Sequence, residues 1–168
     1  PRLKNPGFRY NPQLGGGAFW DVGCYLVSAA IHLFKNDKVL VKFVDLHNSK
    51  QYKVNFDGTV ILDFSNGVRV ISTWHFDTSY KNEIDIWGEN GSIYSDRIFS
   101  KLSEYTPELK IRDKYGVETV RELASMDQFV EMFNYFLLLL LSKKDAEQER
   151  KNIIQRAILM DNMSYFLS

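Results

Sequence analysis

The segment Leu14–Tyr25, LGGGAFWDVGCY, marks the change from an irregular start to the first helix of this 168-residue chain. Glycine lets the backbone approach a ligand or a neighbouring chain segment closely. Asp21 and Tyr25 are four residues apart, a spacing that puts two side chains on one face of an α-helix. Three glycines followed by an acid and a phenol on one helix face are typical of a binding site.

The chain around this segment predicts one helix, then strands, then two helices. Residues 18 to about 34 have apolar side chains at helical spacing, namely Val22, Leu26, Ala29 and Leu33. Three turn sequences, Ser65–Gly67, Gly88–Gly91 and Lys114–Gly116, separate β-rich runs and predict three hairpins.

Two helices are predicted at the end of the chain. Ser125 with Gln128 three residues later fits a capping box, which predicts a helix from Met126 to about Leu141. The charged stretch Lys143–Asp145 separates it from a last helix over about residues 146–167. Helices segregated from hairpins predict an α+β fold: one broad, mostly antiparallel sheet with helices on one face. The other face is then available for oligomerisation.

Composition excludes several classes of protein. Lys plus Arg and Asp plus Glu both number 21, so the chain lacks the basic character of a nucleic-acid binder. The longest apolar run, residues 136–141, is far shorter than the roughly 20 residues of a membrane span. The single cysteine, Cys24, fits a reducing compartment. With no signal peptide visible, we expect a cytoplasmic protein with no membrane and no nucleic-acid partner.

Three stretches resemble the C-terminal domain of the glucose–fructose oxidoreductase/inositol dehydrogenase (Gfo/Idh/MocA) family. They are RYNPQLGGGAFWDVGCY at 9–25, WGENGSI at 87–93 and DQF at 127–129. The resemblance implies a fold similar to the C-terminal domain of glyceraldehyde-3-phosphate dehydrogenase. It also implies an NAD(P)-dependent enzyme of sugars, inositols or nucleotide sugars. Tyr25, where the family often has histidine, resembles the dihydrodiol dehydrogenase and nucleotide-sugar 3-ketoreductase branches.

The family's N-terminal Rossmann domain, with its glycine-rich fingerprint and Glu-Lys-Pro motif, has no counterpart in this sequence. The resemblance therefore implies that residues 1–168 are a single C-terminal substrate-binding and oligomerisation domain of a longer protein, which begins upstream of Pro1. NAD or NADP would be bound mainly by the absent Rossmann domain, and this part alone would be inactive.

The candidate site contains Tyr25, Asp21, Arg9 and the glycines Gly15, Gly16 and Gly17. The Tyr25 phenol is protonated at neutral pH and can give a proton to a substrate oxygen; the alternative is a helix tyrosine whose ring packs. Asp21 would orient the substrate or hold Tyr25, or is simply an acid favoured in a first helical turn.

The roles of the other candidates also stay open. Arg9 would bind a substrate hydroxyl or phosphate, or is a solvated loop arginine. Gly15, Gly16 and Gly17 would admit cofactor or substrate, or form a tight turn. No histidine shows paired spacing with other ligands, so no metal site is predicted.

Two functions fit these observations. The first is the C-terminal half of an NAD(P)-dependent oxidoreductase, with Tyr25 as acid/base for a carbohydrate-like substrate at the junction with the Rossmann domain. The second is a non-catalytic binding or assembly module that has kept the fold. Strand Val68–Phe76 has an outward face of mixed polarity, which in either case predicts a homodimer or homotetramer formed through the sheet.

Overall fold

All three predicted hairpins form, and every pair of neighbouring strands is antiparallel. The computed structural model describes residues 7–35 and 37–167. The strands in this part of the chain are β1 Val39–Asn48, β2 Asn55–Phe64, β3 Arg69–His75, β4 Glu83–Gly88, β5 Gly91–Asp96, β6 Glu108–Asp113 and β7 Glu118–Glu122. This confirms the α+β class. The strands form two sheets, β1-β2-β3 and β4-β5-β6-β7, where one broad sheet was predicted.

One α-helix precedes the strands and two follow them, in the order along the chain that the sequence predicts. The α-helices are α1 Cys24–Leu33, α2 Gln128–Leu141 and α3 Lys143–Ser164. Short 3-10 helices cover Gly7–Tyr10, Pro12–Leu14 and Tyr165–Leu167, and a π-helix covers Phe19–Gly23 directly before α1. The predicted helix over 18–34 is therefore a π turn followed by an α-helix.

The chain divides into two compact units. Unit 1 comprises the described residues within 1–79 and 147–168, and contains α1, the three-stranded sheet and most of α3. Unit 2 comprises residues 80–146 and contains the four-stranded sheet and α2. That residues 1–168 are a single C-terminal domain stays a prediction.

The hydrophobic core of unit 1 lies between helices and one face of the three-stranded sheet. Strand β2 alternates, with Val60, Leu62 and Phe64 buried on the core face. Helix α1 buries Val27, Ala30 and Ile31, so its core-facing stripe differs from the predicted one, and Leu33 of the predicted stripe is 51% exposed. The C-terminal residues Leu159, Met160 and Met163 complete this core.

The predicted starts of the last two helices are wrong by a few residues. The N-cap of α2 is Asp127 rather than Ser125, because its carboxylate accepts hydrogen bonds from the Phe129 and Val130 amides. The predicted charged break Lys143–Asp145 is the first turn of α3. Only Ser142 interrupts the two helices, with its backbone in an extended conformation.

One stretch, Pro12–Leu33, has the length and apolar composition of a membrane span. It is not one regular helix, since a 3-10 helix, a turn and a π-helix precede α1. Its apolar face, including Phe19, Val27 and Ile31, is buried in the core of unit 1. A core helix therefore explains its composition.

Candidate functional site

The glycine-rich loop before α1 folds back on its own chain. The Gly16 amide donates to the Asn11 carbonyl at 2.9 Å, and the Gly17 amide donates to the Arg9 carbonyl at 2.9 Å. The Asn11 side chain accepts from the Gln13 amide at 2.9 Å and begins the 3-10 helix Pro12–Leu14. The loop is thus held by hydrogen bonds across the segment that carries Arg9.

The three consecutive glycines have different surroundings, and each occupies its position for a different structural reason. A Cβ on Gly16 would lie 2.5 to 2.8 Å from the carbonyl oxygens of Phe8, Arg9 and Asn11, so only glycine fits. Gly17 has φ +123° and lies against the Asn55 backbone. Gly15, at φ +72°, has open space where its Cβ would be. Of the three, Gly15 alone leaves room beside it that the chain itself does not fill.

Asp21 lies in the π-helix, and the loop supplies its partner. The Arg9 Nε donates to Asp21 Oδ2 at 2.8 Å, with the Arg9 side chain 41% and the Asp21 side chain 25% exposed. The Arg9 guanidinium also lies 4.8 Å from the centre of the Phe8 ring. Two predicted site residues, twelve positions apart in the sequence, are therefore in direct contact.

Tyr25 follows in the first turn of α1, with its side chain 55% exposed. The prediction that Asp21 and Tyr25 share a face assumed α-helical geometry throughout. The Cys24 amide instead donates to the Phe19 carbonyl, an i to i−5 bond typical of a π turn. A π turn therefore carries Asp21 and leads into the α-helix that carries Tyr25, and π turns are frequent at functional sites.

Cys24 lies between these two residues in the sequence and is half-buried. Burial, and next the negative charge of Asp21, raise the pKa of the Cys24 thiol above its ordinary value. A raised pKa keeps the thiol protonated near neutral pH, and a nucleophilic cysteine needs the opposite. Cys24 therefore has the properties of a packing residue rather than of a nucleophile.

The buried Trp74 packs against the helical segment that carries Asp21 and Tyr25, and the sequence did not predict this role. Its indole lies against Gly23 and Gly58, where added Cβ atoms would be 3.2 Å and 2.5 Å from the ring. Its Nε1 donates to Asn55 Oδ1 at 3.3 Å, and Asn55 in turn donates to the carbonyls of His47 and Asp57. A glycine inside a helical pattern, Gly23, was the available signal of such close packing.

Two histidines lie on the outward face of the three-stranded sheet, around one carboxylate. His47 Nδ1 is 2.7 Å from Asp57 Oδ1, and His75 Nε2 is 3.7 Å from Asp57 Oδ2. The Asp57 hydrogen bond and the charge of Asp45 raise the pKa of His47. In the described part of the chain no group of three or more His, Cys, Asp or Glu side chains has the arrangement to hold a metal ion.

The sequence and the fold match proteins of known class. Residues 1–94 match the GFO/IDH/MocA C-terminal domain. A dTDP-3,4-didehydro-2,6-dideoxy-alpha-D-glucose 3-reductase from Saccharopolyspora spinosa is 31% identical over 128 residues, covering 76% of this chain and 38% of that protein. The reductase of the same name from Actinomadura kijaniata is 27% identical over 154 residues, covering 91% of this chain and 46% of the relative.

Solved structures share the fold over nearly the whole chain. A 3-ketoreductase from Actinomadura kijaniata, in complex with NADP and TDP-benzene, superposes with a TM-score of 0.86 at 24% identity, over 96% of this chain and 49% of its own. An aldose-aldose oxidoreductase from Caulobacter crescentus, complexed with glycerol, superposes with a TM-score of 0.69 at 17% identity. The superposition covers 96% of this chain and 51% of the oxidoreductase chain. The chain spans about half the length of the relatives it matches. It belongs to the GFO/IDH/MocA C-terminal domain family.

Proposed function

We propose that this chain is the substrate-binding and oligomerisation half of an NADP-dependent reductase that acts on a nucleotide sugar. The observation that carries the proposal is the half-exposed phenol of Tyr25, one turn beyond the Arg9–Asp21 ion pair, in a member of this family. The relatives named dTDP-sugar 3-reductases favour a nucleotide-sugar substrate with a keto group. The structure crystallised with NADP favours that cofactor over NAD.

Within residues 7–35 and 37–167, which the structure describes, the glycine-rich segment does not form a dinucleotide site by itself. The sequence has no glycine-rich strand–turn–helix fingerprint, and backbone of the same chain fills the space beside Gly16 and Gly17. Only the open space at Gly15 suits a neighbouring group. We therefore assign cofactor binding to the Rossmann half of the parent protein, where the nicotinamide of bound NADPH would supply the hydride.

The chemistry left to this chain is proton transfer at the substrate oxygen. Reduction of a ketone places negative charge on that oxygen, and a protonated phenol within hydrogen-bond reach neutralises it. In this proposal Tyr25 donates the proton and Asp21, fixed by Arg9, orients the sugar hydroxyls. A lysine ammonium from the Rossmann half would stabilise the phenolate that remains after Tyr25 has given up its proton.

The test uses the full-length parent with NADPH and a dTDP-linked 3-keto sugar. We expect Tyr25→Phe to lower kcat by roughly 10²- to 10⁴-fold, the usual contribution of a general acid, with little change in KM. Tyr115→Phe is the matched control, because Tyr115 is 80% exposed in the turn of another hairpin. Turnover of Tyr25→Phe close to wild type would show that Tyr25 is not the proton donor.

The non-catalytic assembly module is the second candidate. The outward face of the three-stranded sheet has an apolar cross-strand row, Phe43, Ile61 and Ile71, with Phe43 47% and Ile71 64% exposed. Ion pairs lie on either side of this row, Arg69 with Asp63 and His47 with Asp57. We propose that this face forms the homodimer or homotetramer contact, in either an enzyme or an assembly module.

One observation separates these candidates. An upstream sequence without a dinucleotide fingerprint and a Glu-Lys-Pro motif would remove the main support for the enzyme. Sedimentation tests the oligomer: a monomer at high micromolar concentration would contradict pairing through the sheet. A cytoplasmic location also stays a prediction.

A further inference from the structure

Tyr10 follows Arg9 in the sequence and attaches the glycine-rich loop to the rest of unit 1. It ends the first 3-10 helix, and its side chain is 7% exposed. Its ring centroid lies 4.7 Å from that of Tyr52 and 4.9 Å from that of Phe56, near the start of β2. The ring of Phe76, directly after β3, has its centroid 5.7 Å away. Three aromatic side chains therefore fix the position of the Tyr10 ring.

The Tyr10 hydroxyl does not explain the burial of this side chain. The oxygen is buried and has no hydrogen-bond partner within residues 7–35 and 37–167. A buried hydroxyl without a partner is unfavourable, whereas tilted aromatic pairs such as those around this ring are favourable. The stabilising part of the side chain is therefore its ring, and a phenylalanine would make the same packing contacts.

The hydrogen bonds of the loop leave Arg9 without another attachment nearby. The Gly16 amide binds the Asn11 carbonyl and the Gly17 amide binds the Arg9 carbonyl, so these bonds join the loop to itself. At its other end the loop lies against β2 through Gly17. The Arg9 side chain is 41% exposed, and an ion pair of such a side chain contributes little unless its geometry is fixed. The fixed residue next to Arg9 is Tyr10.

The acid of the ion pair is supported by the same strand. Asp21 lies in the π-helix, which packs on the Trp74 indole. Trp74 Nε1 donates to Asn55 Oδ1 at 3.3 Å, and Asn55 is the residue before Phe56 in β2. Two neighbouring residues of β2 therefore support the acid and the base of the pair, one through an indole and the other through a phenol ring.

We propose that Tyr10 is a positioning residue of the candidate site, whose buried ring holds the Arg9 guanidinium against Asp21. This inference rests on the proposed function, in which the ion pair orients the sugar hydroxyls. Because the ring does the positioning, Tyr10→Phe keeps the geometry of the pair. Tyr10→Leu removes the aromatic contacts and releases Arg9.

The thiol of Cys24 reports on the ion pair without any turnover. The charge of Asp21 contributes to the raised pKa of this thiol, and Arg9 offsets that charge through its contact with Asp21. The experiment measures the alkylation rate of Cys24 against pH in the full-length parent, with the modified peptide identified by mass spectrometry. We expect Tyr10→Leu to raise the pKa of the thiol further, as Arg9→Met does, and Tyr10→Phe to leave it at the wild-type value.

Phe64→Leu is the matched control. Phe64 is 5% exposed, and its ring centroid lies 4.9 Å from that of Phe34, at the opposite end of β2 from Phe56. The substitution removes a ring from the same core at a distance from the loop, so the thiol should titrate as in the wild type. A shift equal to that of Tyr10→Leu would assign the effect to a general loosening of the core and overturn the proposal. If Tyr10→Leu does not fold, Tyr10→Met replaces it, because methionine fills apolar space without a rigid ring.

Steady-state kinetics with NADPH and a dTDP-linked 3-keto sugar give the second readout. We expect Tyr10→Leu to raise the KM for the sugar about tenfold, the effect of one lost hydrogen bond to a charged group, and Tyr10→Phe to keep the wild-type KM. An unchanged thiol pKa or an unchanged sugar KM in Tyr10→Leu would overturn the proposal. So would a Tyr10→Phe variant that behaves like Tyr10→Leu, because the hydroxyl would then be the part that acts.

The two readouts also separate this proposal from the proposed function. The expected thiol shifts in a parent protein that does not reduce the sugar would support the positioning of Arg9 by Tyr10 and contradict the proposed function. Unshifted thiols in a parent that does reduce the sugar would do the reverse.

Discussion

Units 1 and 2 have the same kinds of elements but different interiors. Among the described residues, every buried hydrophobic side chain belongs to unit 1, in α1, the three-stranded sheet, the loops beside it or the end of α3. In unit 2, Ile86 and Ile93 are each 38% exposed on the sheet and Trp87 is 84% exposed. A sheet gains stability by burying a face, so among the described residues most of the hydrophobic stabilisation lies in unit 1.

The largest expected effect contrasts two tryptophans. Trp74→Ala removes a side chain that is 5% exposed in unit 1, and we expect a loss of about 3–5 kcal/mol in the free energy of unfolding. Trp87→Ala in unit 2 should change it by less than about 0.5 kcal/mol, because Trp87 is exposed. Urea unfolding followed by circular dichroism measures both. Equal losses in the free energy of unfolding from the two substitutions would contradict the difference between the units.

The second prediction contrasts two strand glycines. A Cβ on Gly58 in β2 would lie 2.5 Å from the Trp74 ring and 2.6 Å from Leu46, so Gly58→Ala should cost about 1–3 kcal/mol through overpacking. Gly88→Ala in unit 2 meets its nearest atom, the Gly91 carbonyl oxygen, at an ordinary 3.6 Å and should be nearly neutral. The same urea titration tests both substitutions. An unchanged free energy of unfolding in Gly58→Ala would mean that Trp74 and Leu46 can shift to accommodate the added methyl group.

The third prediction is a pH dependence confined to unit 1, which contains all three histidines. Asp57 and Asp45 raise the pKa of His47 above 6.5, so the folded state binds the proton more tightly than the unfolded state. This stabilisation is fully present below pH 6.5 and is lost as the pH rises through the folded pKa. Thermal unfolding at pH 5.5 and 8.5 should show it in the wild type, and His47→Gln should reduce it. If the difference in unfolding temperature between the two pH values is the same in His47→Gln as in the wild type, groups other than His47 cause it.

The smallest effect concerns a pKa rather than stability. Asp21→Asn removes the second cause of the raised Cys24 pKa, so the thiol should titrate lower than in the wild type yet above its ordinary value, because burial remains. Arg9→Met should act in the opposite direction, because it removes the cation that offsets Asp21. Alkylation rate against pH reports this directly, since Cys24 is the single cysteine. Identical profiles would mean that the carboxylate does not act on the thiol.

The sequence predicted the elements well because their signals are local. Asn66-Gly67 and Asn90-Gly91 specify tight turns between β-rich runs, and both hairpins form there. Strand β3 alternates as a half-buried strand does, with Ser72 and Trp74 buried on one face. The start of α2 was misplaced because Ser125 and Asp127 are both good cap residues, and only the backbone geometry decides between them.

The site was less predictable because its contacts are not local. Arg9 and Asp21 were predicted as separate candidates, and nothing in their spacing of twelve within an irregular segment indicates an ion pair. The π turn over Phe19–Gly23 is also invisible in apolar periodicity, because one extra residue in a short helix start still fits a helical stripe. Within this turn Gly23 packs on Trp74, a contact with a strand about 50 residues further along the chain.

The return of α3 to unit 1 has a consequence for synthesis on the ribosome. Met163 is completely buried among side chains from residues 10–76, and the Asn48 side chain donates to the Leu167 carbonyl at 2.9 Å. At 5–20 residues per second, the intervening residues 80–146 emerge over several seconds before the core of unit 1 can close. Of these two units, the one whose synthesis begins first is therefore completed last, and a nascent chain that stops before residue 159 has an open core.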